Sequence, residues 1–453
     1  MVLADSQPLF WGLVLLCAAI VYWAPLPLAG LAAVGFVVLG FRDPLPALSL
    51  IVFSLPFYLL GRPVGHYSFS PTEVFIVLSS VSAAARLFFG GGLARSLADP
   101  LTVAFRRAAG DPVIAALAML LVLAGVVSLS ASIEVHQSLE SLRTIVVEPV
   151  AFFFLVVTQV RRRSDVAVLA FALVLSGVAI SLVGGWQYLT DERIITAEAG
   201  LRRIRGFYGS PNNLALFLGR AIPVSLAFAL FWSRARLIWI VSASIMTAAM
   251  LLTFSVGGWV AVALAALVVA GLHSRRTLEV AAGVGVVLLL GGGVIGARIP
   301  RIASHFNFQS GTTFVRLDVW QSAVNMLAAH PIRGIGLDNF LYYYQHGYRL
   351  PTAWEDPNLS HPHNLILDFW LSLGIQGLVL LGVLLARFLH EVWLCWQTSS
   401  AEVRALFAGA VGAMVDIVAH GFVDNSFFLP DLAVLFWLMF AIVAVLRREQ
   451  SSI

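Results

Sequence analysis

The chain contains no lysine; all 28 of its basic residues are arginine. That excludes a P-loop lysine, a Schiff-base lysine and pyridoxal chemistry. Cysteine is almost as scarce: Cys17 and Cys395 both lie in apolar stretches, so neither a disulfide framework nor a cysteine metal cluster can form. Charge of both signs is low, at 11% of residues, and no HExxH, EF-hand or Asp-x-Asp pattern occurs. The familiar metal motifs and a metal-held nucleotide sugar are therefore set aside, and no metal or cofactor is expected. Met1 to Gln7 lacks basic residues, and the apolar run behind it outlasts a signal core, so no cleavable signal is expected. No fixed-period repeat and no low-complexity linker divides the chain.

What fills the sequence instead is hydrocarbon. Of 453 residues 60% are hydrophobic, and the mean hydropathy of +0.91 lies far outside the soluble globular range. The expectation is an all-α polytopic membrane protein in contact with the lipid bilayer. The formal charge of +4 does not point to nucleic acid, because basic residues in membrane chains gather in loops and set topology.

Apolar runs long enough to span about 30 Å as helix lie near 8–23, 24–41, 44–61, 74–90, 113–132, 145–160, 166–186, 212–232, 237–254, 256–272, 279–297, 364–386, 404–421 and 430–446. Twelve to fourteen spans are expected. Short arginine-bearing connections (Arg42; Arg95, Arg106 and Arg107; Arg161 to Arg163; Arg234 and Arg236; Arg275 and Arg276; Arg404; Arg447 and Arg448) all fall on one side. The positive-inside rule makes that side cytoplasmic, with both termini.

Two connections on the opposite, external face are long: 187–211 and 298–363. Long ordered loops in a compact protein are usually functional. They divide the chain into an N-terminal membrane block, 1–297, an external segment, 298–363, and a C-terminal membrane block, 364–453. The external segment is rich in aromatics, among them Phe306, Trp320, Phe340, Tyr342 to Tyr344 and Trp354. Within it Phe314, Leu317, Trp320, Val324 and Leu327 recur at helical spacing, with Thr312 as a candidate N-cap and Pro331 as the stop. The expected element is an amphipathic helix over the outer mouth of the bundle.

The same two loops hold arginines on the side the rule should deplete: Arg202, Arg203, Arg205, Arg298, Arg301, Arg316, Arg333 and Arg349. Guanidinium binds phosphate bidentately and keeps its charge in a partly dry site, so the ligand expected is a phosphorylated lipid headgroup. In "RRIRGFYGSPNNLA" Gly206, Gly209 and Pro211 suggest a tight turn, with Asn212 and Asn213 opening the next helix, whose free amides could help hold an anion.

"SHPHNLILDFWLSLGIQG" begins a span with polar residues, which near hydrocarbon need a partner or a task. Pro362 suits the first helical position. His363 would then lie in the first turn, kept neutral by the macrodipole and ready to take a proton, with Asn364 and Asp368 one turn apart to position a sugar or water. A metal pair at His361 and His363 finds no third ligand at a recognisable spacing. For His420 and Asp424, in "VAHGFVDNSFF", a packing or capping role is expected.

Three segments, "RIRGFYGSPNNLA", "RLDVWQSAVNMLAAHPIRGIGLDNF" and "HPHNLILDFWLSLGIQGLVLLG", resemble the O-antigen ligase and O-antigen polymerase superfamily of bacterial membrane glycosyltransferases. The likeness covers roughly residues 200–385. It implies a GT-C-like helical bundle with a large external loop in the bacterial inner membrane, taking a glycan from an undecaprenyl (polyprenyl) pyrophosphate donor on the external face. It further implies pyrophosphate-binding arginines, a histidine general base and no metal. Carried over, Arg316 matches the large-loop arginine, His363 the histidine, and either Arg203 or Arg205 the first-loop arginine. Asn212, Asn364 and His361 complete the expected substrate-binding set. The acceptor is a lipid or glycan: lipid A core for a ligase, a carrier-linked chain for a polymerase. One departure is Val256 in "LLTFSVGGWV", where relatives commonly carry arginine. A transporter with Arg220, Glu148, Asp368 and Asp416 along its path is the competing class.

Overall fold

The computed structural model describes residues 8–65, 67–89, 112–196, 200–296, 312–353 and 357–451. Arg95, Arg106, Arg107, Arg298, Arg301, Phe306 and Trp354, singled out above, lie outside them. The described residues form an all-α polytopic membrane protein. Helices run α1 Pro8–Trp23, α2 Leu26–Arg42, α3 Leu45–Ser54, α4 Pro71–Phe89, α5 Pro112–Ser128, α6 Val135–Gln159, α7 Arg163–Thr190 and α8 Pro211–Phe231. They continue with α9 Arg236–Leu252, α10 Val256–His273, α11 Arg275–Gly296, α12 Thr312–Ala329, α13 Phe340–Tyr343, α14 Leu365–Trp396, α15 Ala401–Gly421 and α16 Pro430–Ser451. Two short antiparallel ribbons, β1 Arg62–Val64 with β2 Tyr67–Phe69 and β3 Ile195–Thr196 with β4 Arg202–Arg203, close loops.

Each of the fourteen apolar runs carries a helix. Among the described residues nine helices are long and apolar enough to cross a membrane, and four more are apolar but shorter. Proline at the first position of α4, α5, α8 and α16 costs nothing, since that amide has no intrahelical partner anyway.

The centre is α8, α15 and α16, with 83%, 78% and 89% of their spanning windows buried. The peripheral helices turn Leu31, Leu189, Leu237 and Trp393 outward instead, as a lipid-facing surface requires. α8 and α15 approach closely because Gly219 has no side chain: a Cβ there would stand 2.4 Å from both carboxylate oxygens of Asp416. Small residues at such a contact are the usual device of membrane helix pairs. Inside it Arg220 and Asp416, both fully buried, pair at 3.3 Å, and Arg220 also donates to Ser426 O at 3.0 Å. Glu148 is paired with Arg143 at 3.1 Å, and Asp368 accepts from Ser372 Oγ at 3.2 Å. The charges suggested as a transport path thus each have a local partner.

The helix of the external segment exists, but it buries another face than expected. Leu317 and Val324 are 42% and 49% exposed, whereas Val319, Ser322, Ala323 and Met326 are buried against Ile335, Phe340, Tyr344 and Leu371. Small residues let α12 settle on α14 and the chain beside it. Both faces of the helix are apolar, so periodicity alone could not choose between them.

The "HPIRGIG" and "LSLGIQG" motifs explain each other. α14 is broken at Gly374, with φ +74° and ψ −177°, which frees backbone groups. The chain after α12 supplies partners: Ile335 N donates to Leu371 O at 2.7 Å and Ile375 N to Ile332 O at 3.0 Å. Irregular backbone at such a place survives only where protein satisfies it. Gly334, at φ +69°, lies so close that a Cβ would meet Leu371 O at 2.2 Å. Gly334→Ala is therefore expected to destabilise the protein by more than the roughly 1–2 kcal/mol of a left-handed alanine, read as a lower yield of monodisperse protein and earlier thermal unfolding in detergent. The segment is fastened further by Asn339, whose Oδ1 accepts from Ile133 N at 2.8 Å and Glu134 N at 2.9 Å.

Candidate active site

The site is assembled at one end of the bundle by three loops and two helices, α8 and α12. The 191–210 loop comes first. Tyr208 N donates to Arg205 O at 3.0 Å, closing the expected turn, and Ser210 caps α8 by accepting from Asn213 N at 3.2 Å. Alternation along β4 turns Arg202 and Arg203 to opposite sides, and Arg205 lies beyond the strand, at the start of the turn. Arg203 is buried; its Nε donates to Thr253 O at 2.7 Å and its Nη2 to Asn212 Oδ1 at 2.9 Å. Arg205 turns away and donates to Arg193 O at 3.1 Å. Arg202 pairs with Asp191 at 3.3 Å and lies over the Tyr188 ring.

Asp424, in the loop between α15 and α16, is where the pieces meet. Its Oδ1 accepts from His363 Nδ1 at 2.9 Å and from Asn425 N at 2.9 Å. Its Oδ2 accepts from Asn212 Nδ2 at 3.0 Å and stands 4.0 Å from an Arg316 nitrogen on α12. Through Asn212, Arg203 belongs to the same network. His361 Nε2 is 3.8 Å from Asp424 Oδ1, beyond hydrogen-bond reach, and its ring centroid is 4.2 Å from that of His363.

Burial alone would raise the pKa of Asp424. The hydrogen bond from His363, with the Arg316 guanidinium nearby, outweighs it and holds the carboxyl well below the ordinary carboxylate range. For His361 burial, reinforced by His363, lowers the pKa, so this imidazole is neutral at pH 7. Asp424 is therefore a fixed negative charge beside one neutral histidine, and it aims His363 by its Nδ1. His363 Nε2 remains for chemistry.

Of the residues expected from the sequence, Arg203, Arg316, Asn212, His361 and His363 are brought together and Arg205 is not. Two placements differ from expectation. α14 begins at Leu365, with Asn364 as its N-cap: Asn364 Oδ1 accepts from Ile366 N at 3.0 Å and Leu367 N at 3.1 Å. His363 thus precedes the cap, at φ +51°, and is oriented by a carboxylate instead of sitting in the first turn. Asn364 also donates to Phe422 O at 3.2 Å, so both ends of its amide are engaged by the chain itself. Asp368 faces the buried side of α14 and does not share a substrate-facing surface with Asn364.

Asp424 was expected to cap or pack, and it does bond the next backbone amide, but its main partners are His363 and Asn212. The signal available was the density of polar residues in "HGFVDNSFF" between two apolar spans. No spacing rule links Asp424 to a histidine 61 positions earlier. His420, fully buried, packs its ring on the first turn of α10, at Gly257 and Gly258.

Residues 241–382 match the family described as O-antigen ligase. This segment is similar to that family, which supports membership of the O-antigen ligase and polymerase superfamily. The family indicates a glycosyltransferase-like enzyme of the membrane that handles lipid-linked glycans. No curated protein matches the chain. The matched segment contains Arg316, His361 and His363. Arg203, Asn212 and Asp424 lie on either side of it, so half of the cluster comes from chain beyond the matched domain.

Proposed function

We propose that the chain transfers a glycan from a polyprenyl pyrophosphate carrier to an acceptor hydroxyl at the external face of the bacterial inner membrane, as a GT-C-type, O-antigen ligase-like enzyme that needs no metal. The observation that carries this reading is the His363–Asp424 pair at 2.9 Å, with buried Arg203 in the same network and Arg316 beside it. The acceptor O–H gives its proton to His363 Nε2 as its oxygen bonds to the anomeric carbon. The bond from that carbon to the pyrophosphate oxygen breaks, and the leaving pyrophosphate carries the electron pair. A base positioned by a carboxylate and fixed cations at the developing charge are what an inverting displacement needs.

In this reading the described residues of the external segment, 312–353 and 357–363, cap the site. The arginine-rich short connections support a cytoplasmic side for the opposite end and both termini. Arg203, not Arg205, is the first-loop arginine facing phosphate. Asn212, with its amide oxygen on Arg203 and its nitrogen on Asp424, is a positioning residue. Lipid A core is the acceptor of a ligase, a second carrier-linked glycan that of a polymerase.

The test is transfer by purified protein in nanodiscs with excess EDTA, offering a polyprenyl-pyrophosphate glycan and each acceptor in turn. Product on lipid A core marks a ligase, and a lengthened carrier-linked chain a polymerase; no product with either, despite donor binding, defeats the reading. In the same assay Arg203→Ala and Arg316→Ala are each expected to raise the donor KM by roughly 10–100-fold, the weight of a charge-assisted hydrogen bond. Arg205→Ala should change it by less than about threefold, as for a surface substitution. Equal effects of Arg203→Ala and Arg205→Ala would contradict the assignment.

A further inference from the structure

The pair that aims His363 also leaves a geometry unexplained by proton transfer. His361 and His363 flank Pro362, and His363 adopts φ +51°, so both imidazoles turn to one side and toward the same carboxylate oxygen. One ligand atom from each of His361, His363 and Asp424 lies within 4.8 Å of the others. Asp424 Oδ1 is 2.9 Å from His363 Nδ1 and 3.8 Å from His361 Nε2. Neighbouring ligand atoms of a tetrahedral zinc ion, with bonds of about 2.0–2.2 Å, stand roughly 3.3–3.5 Å apart, a separation that these two distances bracket.

We propose that His361, His363 and Asp424 form a binding site for a divalent transition-metal ion, Zn2+ foremost. The donor set of two imidazoles and one carboxylate suits zinc, with a fourth position left for water or an anion. When Nδ1–H of His361 donates to Ser360 Oγ, 3.2 Å away, Nε2 turns a lone pair toward a carboxylate oxygen at 3.8 Å, and a cation between them satisfies both. The support beyond the ligands is also present. Asn212 Nδ2 holds Oδ2 of Asp424 at 3.0 Å, which fixes the carboxylate and leaves Oδ1 for the ion, the arrangement that outer-shell partners provide in metal sites. Arg316, 4.0 Å from Oδ2, opposes a dication and keeps the affinity moderate. Binding at Nδ1 shifts the ring proton of His363 to Nε2, so the ring stays neutral but no longer offers a base there, and it breaks the hydrogen bond that aims the ring. The hard, oxygen-seeking Mg2+ does not fit these ligands.

The consequence for activity rests on the reading of His363 as general base: an occupied site removes that base, so the ion inhibits. The experiment titrates the full chain, purified in detergent and stripped with chelator, with ZnCl2 by calorimetry. One equivalent of Zn2+ is expected, with none of Mg2+. His361→Ala and Asp424→Asn should each weaken binding by more than the roughly 10–100-fold that losing an outer-shell partner costs, while His346→Ala, outside the cluster, leaves it unchanged. Should Asp424→Asn fail to fold, His361→Ala and His361→Gln carry the test. Absent or non-stoichiometric binding, or binding that His361→Ala does not weaken, overturns the site. The activity arm separates the two ideas. Zn2+ that binds stoichiometrically and abolishes transfer until EDTA is added upholds both. Zn2+ that binds without inhibiting, or that transfer requires, upholds the metal site and overturns the metal-free general-base reading.

Discussion

His363→Ala is expected to lower kcat for glycan transfer by about 10²–10⁴-fold, the usual weight of a positioned general base, while donor binding changes little. In the proposed mechanism His363 takes the acceptor proton and the phosphate is left to Arg203 and Arg316, so the loss should fall on kcat and not on KM. The two effects are separable by measuring turnover in nanodiscs alongside equilibrium binding of the labelled donor. Asp424→Asn should follow the same pattern more mildly, because the imidazole remains but loses the charge that aims it and supports its protonated form. Asp424 stays ionised well below the ordinary carboxylate range. Its contribution to stability is present at any pH above that range and is lost only as pH falls through its lowered folded value, so mild acidification to pH 5 should leave the pair's stabilising effect intact. Turnover by His363→Ala equal to the parent would end the general-base assignment and leave the fold untouched.

The second large effect concerns the centre of the bundle. Asp416→Ala is expected to cost about 3–5 kcal/mol, because it leaves the fully buried Arg220 without its counter-charge. Against a total stability of about 5–15 kcal/mol for a typical folded domain that is a large share. Arg220 still reaches Ser426 and the Leu216 carbonyl, which places its head but does not neutralise it. The double variant Arg220→Met with Asp416→Ala should recover most of the loss, since exchanging a whole buried pair for apolar atoms is often neutral or better. Thermal unfolding in detergent, followed by the fraction of protein remaining monodisperse, separates the cases. A single variant as stable as the parent would show that the pair is not needed for folding.

The pieces that sequence misplaced have a common cause. On α12 large apolar residues such as Leu317 and Val324 stand out at helical spacing and point to one face. Burial went instead to Val319, Ala323 and Met326, chosen by the shape of Leu371 and Tyr344, which arrive from elsewhere in the chain. Pro362 suits a first helical position and so points to His363 in the first turn, but the cap belongs to Asn364, whose side chain reaches two amides. Arg203 and Arg205 read alike in the sequence; Arg203 ends β4 and is held by Thr253 and Asn212, whereas Arg205 lies in the turn beyond the strand and bonds Arg193.

The sequence by itself determined the solvent and the material of the fold: apolar runs of spanning length can satisfy their backbone in lipid only as helices, and every such run is one. It also brought to notice the external arginines and the His-Pro-His stretch, because charge and imidazole beside hydrocarbon are costly unless partnered. Only the tertiary structure decided which of these residues share a site. Asp424, Asn212 and His363 lie far apart along the chain, and a hydrogen bond of 2.9 Å between them leaves no periodicity or spacing to read. Their meeting depends on how α8, α14 and α15 pack, and that packing is set by close contacts, such as Gly219 on Asp416, that act over a few ångströms and not along the sequence.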